Sequence, residues 1–398
     1  MDMEWKNAIK KDDNSLQIPE RWLLLHYYEA LNLLFRIENA LRVFVYIILK
    51  NELKEGWSDV CIEDDDNNQA SISSIAKKRM AQSQSFGYLG HPVLCPIMHL
   101  TSGELTRLII SNAYWKYFND KFLGGKEIIK QKLEEIGSIR NSLAHFRPMK
   151  QDDVDVIKQN SKHVLGGIER YLSQALHQSD VVPTNTAESW YKDMKTLGTE
   201  QCTLYFYQSA DEKWARIIMR YSCPIINTRH YWRRHITYDV LTIKSSSILT
   251  KYQTLRRDIT YLSEYIPYVE FDEKSGPNFC KHIAMVFSRK MLNNNYGEIM
   301  ADLKGILQTI TEETDLIKQD NLARGNLVHS VSAHASADEK EGKLNWRVDS
   351  ESLETQVIHS DPTEYWGELG YFVAGDFIAG TNRYPWMPEK ISEYEFPF

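Results

Sequence analysis

The chain has 398 residues, 42% hydrophobic and 25% charged, and carries a formal net charge of −7. That length holds two or three domains with room for a large core, and the composition excludes fibrous, low-complexity and disulfide-dense classes. The acidic balance argues against a protein that coats nucleic acid unselectively, but it leaves room for a local basic site.

Cys61, Cys95, Cys202, Cys223 and Cys280 are scattered, and none forms a CxxC pair. Neither a zinc site nor a disulfide framework is indicated, and such usage suits a reducing cytoplasm. Residues 1–14 are polar and mixed in charge, unlike a secretory signal. The apolar stretches Leu31–Phe35 and Val43–Leu49 fall far short of the ~20 residues that span a bilayer. A cytoplasmic protein with no membrane contact is expected.

In chain order, apolar residues recur at helical spacing from Arg21 to Lys50, through Leu34, Ile37, Leu41, Phe44, Val45 and Ile48. The acidic run Asp64 to Asp66 is too charged to pack, and a short helix is expected over Ile72 to Gln82. Thr101-Ser102-Gly103-Glu104 is a capping-box pattern and predicts a helix running to about Phe118. After Gly124-Gly125, a helix from Lys126 should bury Ile128, Ile129, Leu133, Ile136, Ile139 and Leu143, with Pro148 as its stop. A last helix, capped by Asp152 or Asp153, reaches Leu176.

Residues 1–177 therefore read as an all-α bundle, 178–189 as a linker and 190–398 as an α+β domain, so the whole is α+β. In the second part, Thr203 to Tyr207, Arg216 to Tyr221, Ile236 to Ile243 and Tyr265 to Phe271 read as strands. Ile283 to Leu292 and Ile299 to Leu316 read as helical, and Ser336 to Glu368 is acidic and weakly patterned.

The most informative feature is Arg140-Asn141-Ser142-Leu143-Ala144-His145, at the end of the amphipathic Lys126 helix. A guanidinium can hold a phosphate through two parallel hydrogen bonds. An imidazole can move a proton near neutral pH. Spacing alone does not single this pair out, because Arg21 to His26, Arg229 to His235 and Arg324 to His329 fit the same loose pattern. Only Arg140 is followed directly by Asn at the end of a helix within an evident bundle. Asn141 and His145, four apart, share a helix face. Arg140 and His145 lie roughly 140° apart on an ideal helix, so one helix aims both at a single phosphate poorly. A bend at Gly137-Ser138 or a second copy of the chain would remedy this.

A second polar group, Glu38, Asn39 and Arg42, lies on the first helix among apolar neighbours. As an exposed ion pair, Glu38 and Arg42 are worth only about 0.3–0.5 kcal/mol. A polar patch on a mostly buried helix instead suggests contact with another, such as the Arg140 motif.

Phe35-Arg36-Ile37-Glu38-Asn39-Ala40-Leu41-Arg42, Leu100 to Ile109, and Ile139-Arg140-Asn141-Ser142-Leu143-Ala144-His145-Phe146-Arg147-Pro148 together resemble the HEPN superfamily, in particular its abortive-infection branch, over about residues 20–175. The resemblance implies a dimerising helical bundle and a metal-independent endoribonuclease with no cofactor, often a toxin or an effector of phage defence with an antitoxin or defence-system partner. It implies that Arg140 and His145 are catalytic, that Asn141 supports them, and that Glu38, Asn39 and Arg42 are the polar positions of the first helix. Some members of the superfamily only bind, which leaves a non-catalytic dimerisation module as the alternative. Residues 190–398 carry no such resemblance.

Three further features bear on RNA. Arg147 adds a cation beside the motif. Arg229, Trp232, Arg233 and Arg234 form a strip of cations and rings with no acid inside it. Such a strip suits stacked bases and phosphates, or else an ordinary strand with alternating faces. Arg324 and His329 could mark a degenerate second unit, although Gly325 weakens a helix there. His329 and His334 lack a third ligand nearby, so a metal site is not indicated.

Overall fold

The computed structural model describes residues 9–13, 16–17, 27–63, 69–86, 95–145, 147, 149–176, 187–232, 234–272, 274–320, 324–340, 342–358 and 360–368. The first half holds β1 (Ile9–Lys10), β2 (Leu16–Gln17), α1 (Tyr27–Leu53), β3 (Cys61–Glu63), β4 (Gln69–Ser71), α2 (Ile72–Phe86), α3 (Ser102–Ile110), α4 (Trp115–Phe118), α5 (Lys126–Ala144) and α6 (Gln151–Leu176). The second half holds α7 (Ser189–Met194), β5 (Cys202–Gln208), β6 (Trp214–Ser222), β7 (Ile225–Trp232), β8 (His235–Ile243), α8 (Ser245–Lys251), α9 (Gln253–Asp258) and β9 (Tyr261–Tyr265). It continues with β10 (Phe271–Asp272), β11 (Gly276–Pro277), β12 (Cys280–Ser288), α10 (Arg289–Asp320), β13 (Val328–Lys340), β14 (Lys343–Asp349) and β15 (Tyr365–Glu368). The chain is α+β. Among the described residues no helix is long and apolar enough to cross a membrane.

Helices dominate the first half, but β1–β2 and β3–β4 are small antiparallel ribbons that the all-α expectation did not include. The predicted capping box is present: Glu104 N–H donates to Thr101 Oγ1 at 3.3 Å, and Thr101 N–H donates to Glu104 Oε2 at 2.8 Å. Yet α3 ends at Ile110, not near Phe118. The Ser111 hydroxyl takes the Ala113 N–H at 3.3 Å, the local competition by which a short polar side chain breaks a helix. On α5, Ile129, Leu133, Ile136 and Leu143 are buried, whereas Ile128 is 55% exposed. Adjacent helical residues lie about 100° apart, so only one of the two isoleucines faces the core. Residues 178–186 of the predicted linker lie outside the described residues.

The second half builds two sheets, ordered β15-β9-β12-β6-β5 and β14-β13-β8-β7. Their inner faces and α10 share one core. Three sequence expectations are corrected here. Residues 283–288 belong to a strand, and the helix starts only at Arg289; a short apolar run buried on both faces has no period that separates strand from helix. The strand expected over 265–271 stops at Tyr265, before Pro267, which has no N–H to give a ladder. The weakly patterned 336–368 segment contains β14 and the end of β13, whose polar residues face outward at a sheet rim.

The two halves meet along α1. Every residue from Val43 to Lys50 is buried, and the helical core runs on into Trp214, Tyr261, Val286 and Trp366 of the first sheet. Tyr46 Oη donates to the Thr260 carbonyl at 2.9 Å, and Tyr261 Oη donates to the Ala175 carbonyl at 3.2 Å. Tyr261 stacks on Trp366 with centroids 4.1 Å apart. Lys50 Nζ, fully buried, donates to the Glu364 carboxylate at 2.8 Å and the Arg256 carbonyl at 3.0 Å. Beyond α1, Lys54 turns the chain through a left-handed conformation (φ 55°) into the 3₁₀ turn Lys54–Asp59.

A close approach fixes α6 against the loop before α5. A Cβ on Gly167 would stand 1.9 Å from the Lys121 carbonyl oxygen, whereas one on Gly166 would meet nothing within 4 Å. Gly167→Ala is expected to lower the urea midpoint markedly because backbone must move. Gly166→Ala should raise stability by about 0.5–1 kcal/mol through the helix propensity of alanine. Equal effects of the two substitutions in chemical denaturation would contradict this packing.

Candidate active site

The end of α5 places the motif. His145 is the first residue past the helix, and its N–H donates back to the Asn141 carbonyl at 3.2 Å; Arg147 N–H donates to the Ser142 carbonyl at 3.0 Å. The helix therefore stops before Pro148, which lies outside the described residues. Asn141, His145 and Arg147 are exposed, and Arg140 is half-buried. Tyr27 Oη donates to the Leu143 carbonyl at 3.3 Å and ties this end of α5 to the start of α1.

Arg140 turns toward α1. Its Nε lies 3.4 Å from Glu38 Oε2, with the two side chains 35% and 13% exposed. Its Nη1 donates to Asn141 Oδ1 at 3.5 Å, so the Asn141 amide serves the guanidinium and not the imidazole. Glu38 is the hub of this cluster. It also accepts from Ser102 Oγ at 2.7 Å and pairs with Arg42. Arg42 donates to the Leu100 carbonyl through Nε at 3.2 Å and Nη2 at 2.9 Å, and to Asn39 Oδ1 at 3.1 Å. Asn39 is buried and donates to the Phe35 carbonyl at 3.0 Å. Burial lowers the Arg42 pKa; Glu38 opposes this and Arg140 reinforces it.

The Glu38–Arg42 pair is thus no exposed surface pair, because it is built into the junction of α1, α3 and α5. Two guanidiniums share one carboxylate and leave a surplus positive charge beside the motif, which favours an anion. The space behind Arg140 is a crevice of about 10 Å³, too small for a nucleobase, so any substrate lies on the surface.

The structure brings Glu38, Asn39, Arg42 and Arg140 together. Among the described residues nothing joins the His145 ring to them, and that ring has no hydrogen-bond partner. The crevice wall includes Ser102 and Thr106. Sequence reasoning missed the Ser102 hydroxyl as a member of the cluster, although it stands inside the capping box already recognised.

The other motifs fare differently. Arg229 lies on β7 and pairs with Asp239 of β8, which Asn227 also reaches at 3.1 Å; Arg234 pairs with Glu339 of β13. The strip without an acid of its own acquires two from neighbouring strands. Arg233 and the Trp232 side chain lie outside the described residues. Arg324 and His329 face each other across an isolated antiparallel bridge. Their spacing is that of a turn into β13 and not of a helix, so the idea of a second helical unit there is corrected. His334 Nδ1 lies 3.1 Å from Thr237 Oγ1. Among the described residues no three His, Cys, Asp or Glu side chains gather to hold a metal.

One histidine that sequence reasoning passed over is perturbed. His282 on β12 packs edge-on to Tyr265, with centroids 4.6 Å apart. Both its ring nitrogens are buried with no hydrogen-bond partner among the described residues. Burial, then the neighbouring Arg220, push its pKa from 6.5 down to about 4.

Comparison with protein-family models, with curated proteins and with solved structures finds no match to this chain.

Two outcomes follow from these contacts. Glu38→Ala leaves two guanidiniums without their shared carboxylate and should cost about 1–3 kcal/mol in urea denaturation, with Glu38→Gln costing less. A neutral native His282 binds fewer protons than the unfolded chain, so stability should fall as pH drops from 6.5 toward about 4. In thermal melts across that window, His282→Phe should flatten the slope, and an unchanged slope would count against this titration.

Proposed function

We propose that the protein is a metal-independent endoribonuclease of HEPN type. One observation carries the reading. The three sequence pieces that resemble the family, around Glu38–Arg42, Leu100–Ser102 and Arg140, converge on a single carboxylate through the Arg140, Ser102 and Arg42 contacts.

The chemistry needs little equipment because RNA carries its own nucleophile. His145 takes the proton of a 2′-hydroxyl, and the oxygen attacks the adjacent phosphorus. Arg140 neutralises the charge that grows on the equatorial oxygens. The bond to the 5′-oxygen breaks and that oxygen takes up a proton, which gives a 2′,3′-cyclic phosphate and a 5′-hydroxyl. Deprotonating one oxygen while protonating the other suits two imidazoles, one from each of two subunits.

Leu31 and Phe35, 44% and 42% exposed, stand two turns and one turn before Glu38 on the same stripe of α1 and offer an apolar contact for the second copy. In this reading residues 190–398 regulate the cleavage or select the RNA. Defence or toxin action, held in check by a partner protein, is the biological setting.

The test is incubation of the purified chain with total RNA in EDTA, followed by end-group analysis. Wild type should yield cyclic-phosphate and 5′-hydroxyl ends. His145→Ala should cleave at least ~100-fold more slowly, the lower end of what general acid–base catalysis contributes. Its stability should change by no more than about 0.5 kcal/mol, as the residue is exposed. Undiminished cleavage by His145→Ala would refute the assignment. Absence of cleavage by wild type, with self-association retained, would favour the binding module.

A further inference from the structure

The seam between α1 and the first sheet opens into a cleft of about 240 Å³. The exposed Glu55 with Trp57 and Ser58 of the 3₁₀ turn, Pro96, Arg256 of α9, and Thr363 with Glu364 ahead of β15 form its walls. That volume is below the roughly 300–1,000 Å³ typical of drug-sized ligands, so a small ligand is indicated.

Glu55, Arg256 and Glu364 are the charged residues of its wall, and Lys50 lies behind Glu364. Glu364 receives Lys50 Nζ on one carboxylate oxygen at 2.8 Å and Arg256 Nε on the other at 3.0 Å. The Lys50 and Glu364 side chains are 1% and 5% exposed, and that of Arg256 is 36% exposed. Burial pushes the Glu364 carboxyl up, but Lys50 and Arg256 outweigh it and hold it below the usual carboxylate range. Glu364 is thus shared by the buried Lys50 and the part-exposed Arg256, whose guanidinium lines the cleft. A guanidinium with free donors at the wall of a small cleft can receive an anion.

The geometry indicates where that anion would sit. With Nε spent on Glu364, the Arg256 guanidinium keeps two terminal nitrogens that have no partner among the described residues, and together they form a donor pair suited to two oxygens of one group. The Ser58 and Thr363 hydroxyls line the same cleft and add neutral donors. The Glu55 carboxylate works against an anion, but its exposure to solvent screens it.

We propose that this cleft binds a phosphate group, either as inorganic phosphate or as the 5′-phosphate of a mononucleotide. The ligand contacts Ser58 just after α1 as well as Arg256 of α9 and Thr363 ahead of β15, and so ties the two halves together at their seam. The inference is independent of the ribonuclease reading, whose cationic cluster lies at the junction of α1 with α3 and α5.

The full chain is titrated by calorimetry at constant ionic strength with inorganic phosphate, adenosine 5′-monophosphate and adenosine. Wild type is expected to bind phosphate and the nucleotide at one site, and not adenosine. Arg256→Gln should weaken binding at least tenfold, while Arg140→Ala leaves it unchanged. Tighter binding of the nucleotide than of phosphate assigns the nucleotide as ligand, and equal binding assigns the free ion. Arg256→Gln leaves the Lys50–Glu364 pair matched and should fold; Arg256→Lys, which keeps the charge but not the paired donors, should bind with intermediate strength. No heat with either phosphate in wild type overturns the proposal, as does equal affinity in Arg256→Gln.

Discussion

Helix α1 has no solvent face between Val43 and Lys50, and the arrangement of the molecule follows from that. A helix apolar all round must be covered on all sides. Here the helical half covers one side and the first sheet the other, through Tyr46, Lys50 and Trp366. The same rod carries Glu38 and Arg42 about three and two turns before Lys50, where α3 and α5 meet it. Its burial at one end thus fixes the position of the polar cluster at the other, and places that cluster and the seam cleft beside one helix.

The two polar clusters share a physical design. In each, one carboxylate serves two cations: Glu38 with Arg42 and Arg140, and Glu364 with Lys50 and Arg256. The carboxylate holds the long side chains in place, and in the first cluster it leaves a positive remainder. That arrangement is more useful for receiving an anion than for stability, since an isolated buried ion pair contributes little on balance.

How much of this could be read from the chain varied with the range of the interaction. The capping box at Thr101 to Glu104 and the apolar stripe Ile129, Leu133 and Ile136 are local and were legible. So was the pairing of the Glu38 patch with the Arg140 motif, because polar groups on a buried helix must meet polar groups elsewhere. The Lys50 network was not, although a lysine four residues after Tyr46 at the end of an apolar run hinted at a second buried face. Its partners are more than 200 residues away in sequence, and no local pattern announces them. The strand at Cys280 to Ser288 was misread because both its faces are buried and its period is lost. Arg229 and Arg234 looked unopposed because their acids come from adjacent strands.

The second sheet ends in β7 and β14, whose outer rims carry Arg229, Lys343 and Arg347 beside Asp239 and Asp349. A rim of that kind resists lengthening of the sheet across a molecular boundary, since each added strand would have to strip water from its charges. Ribbon-like stacking through the second sheet is thereby disfavoured.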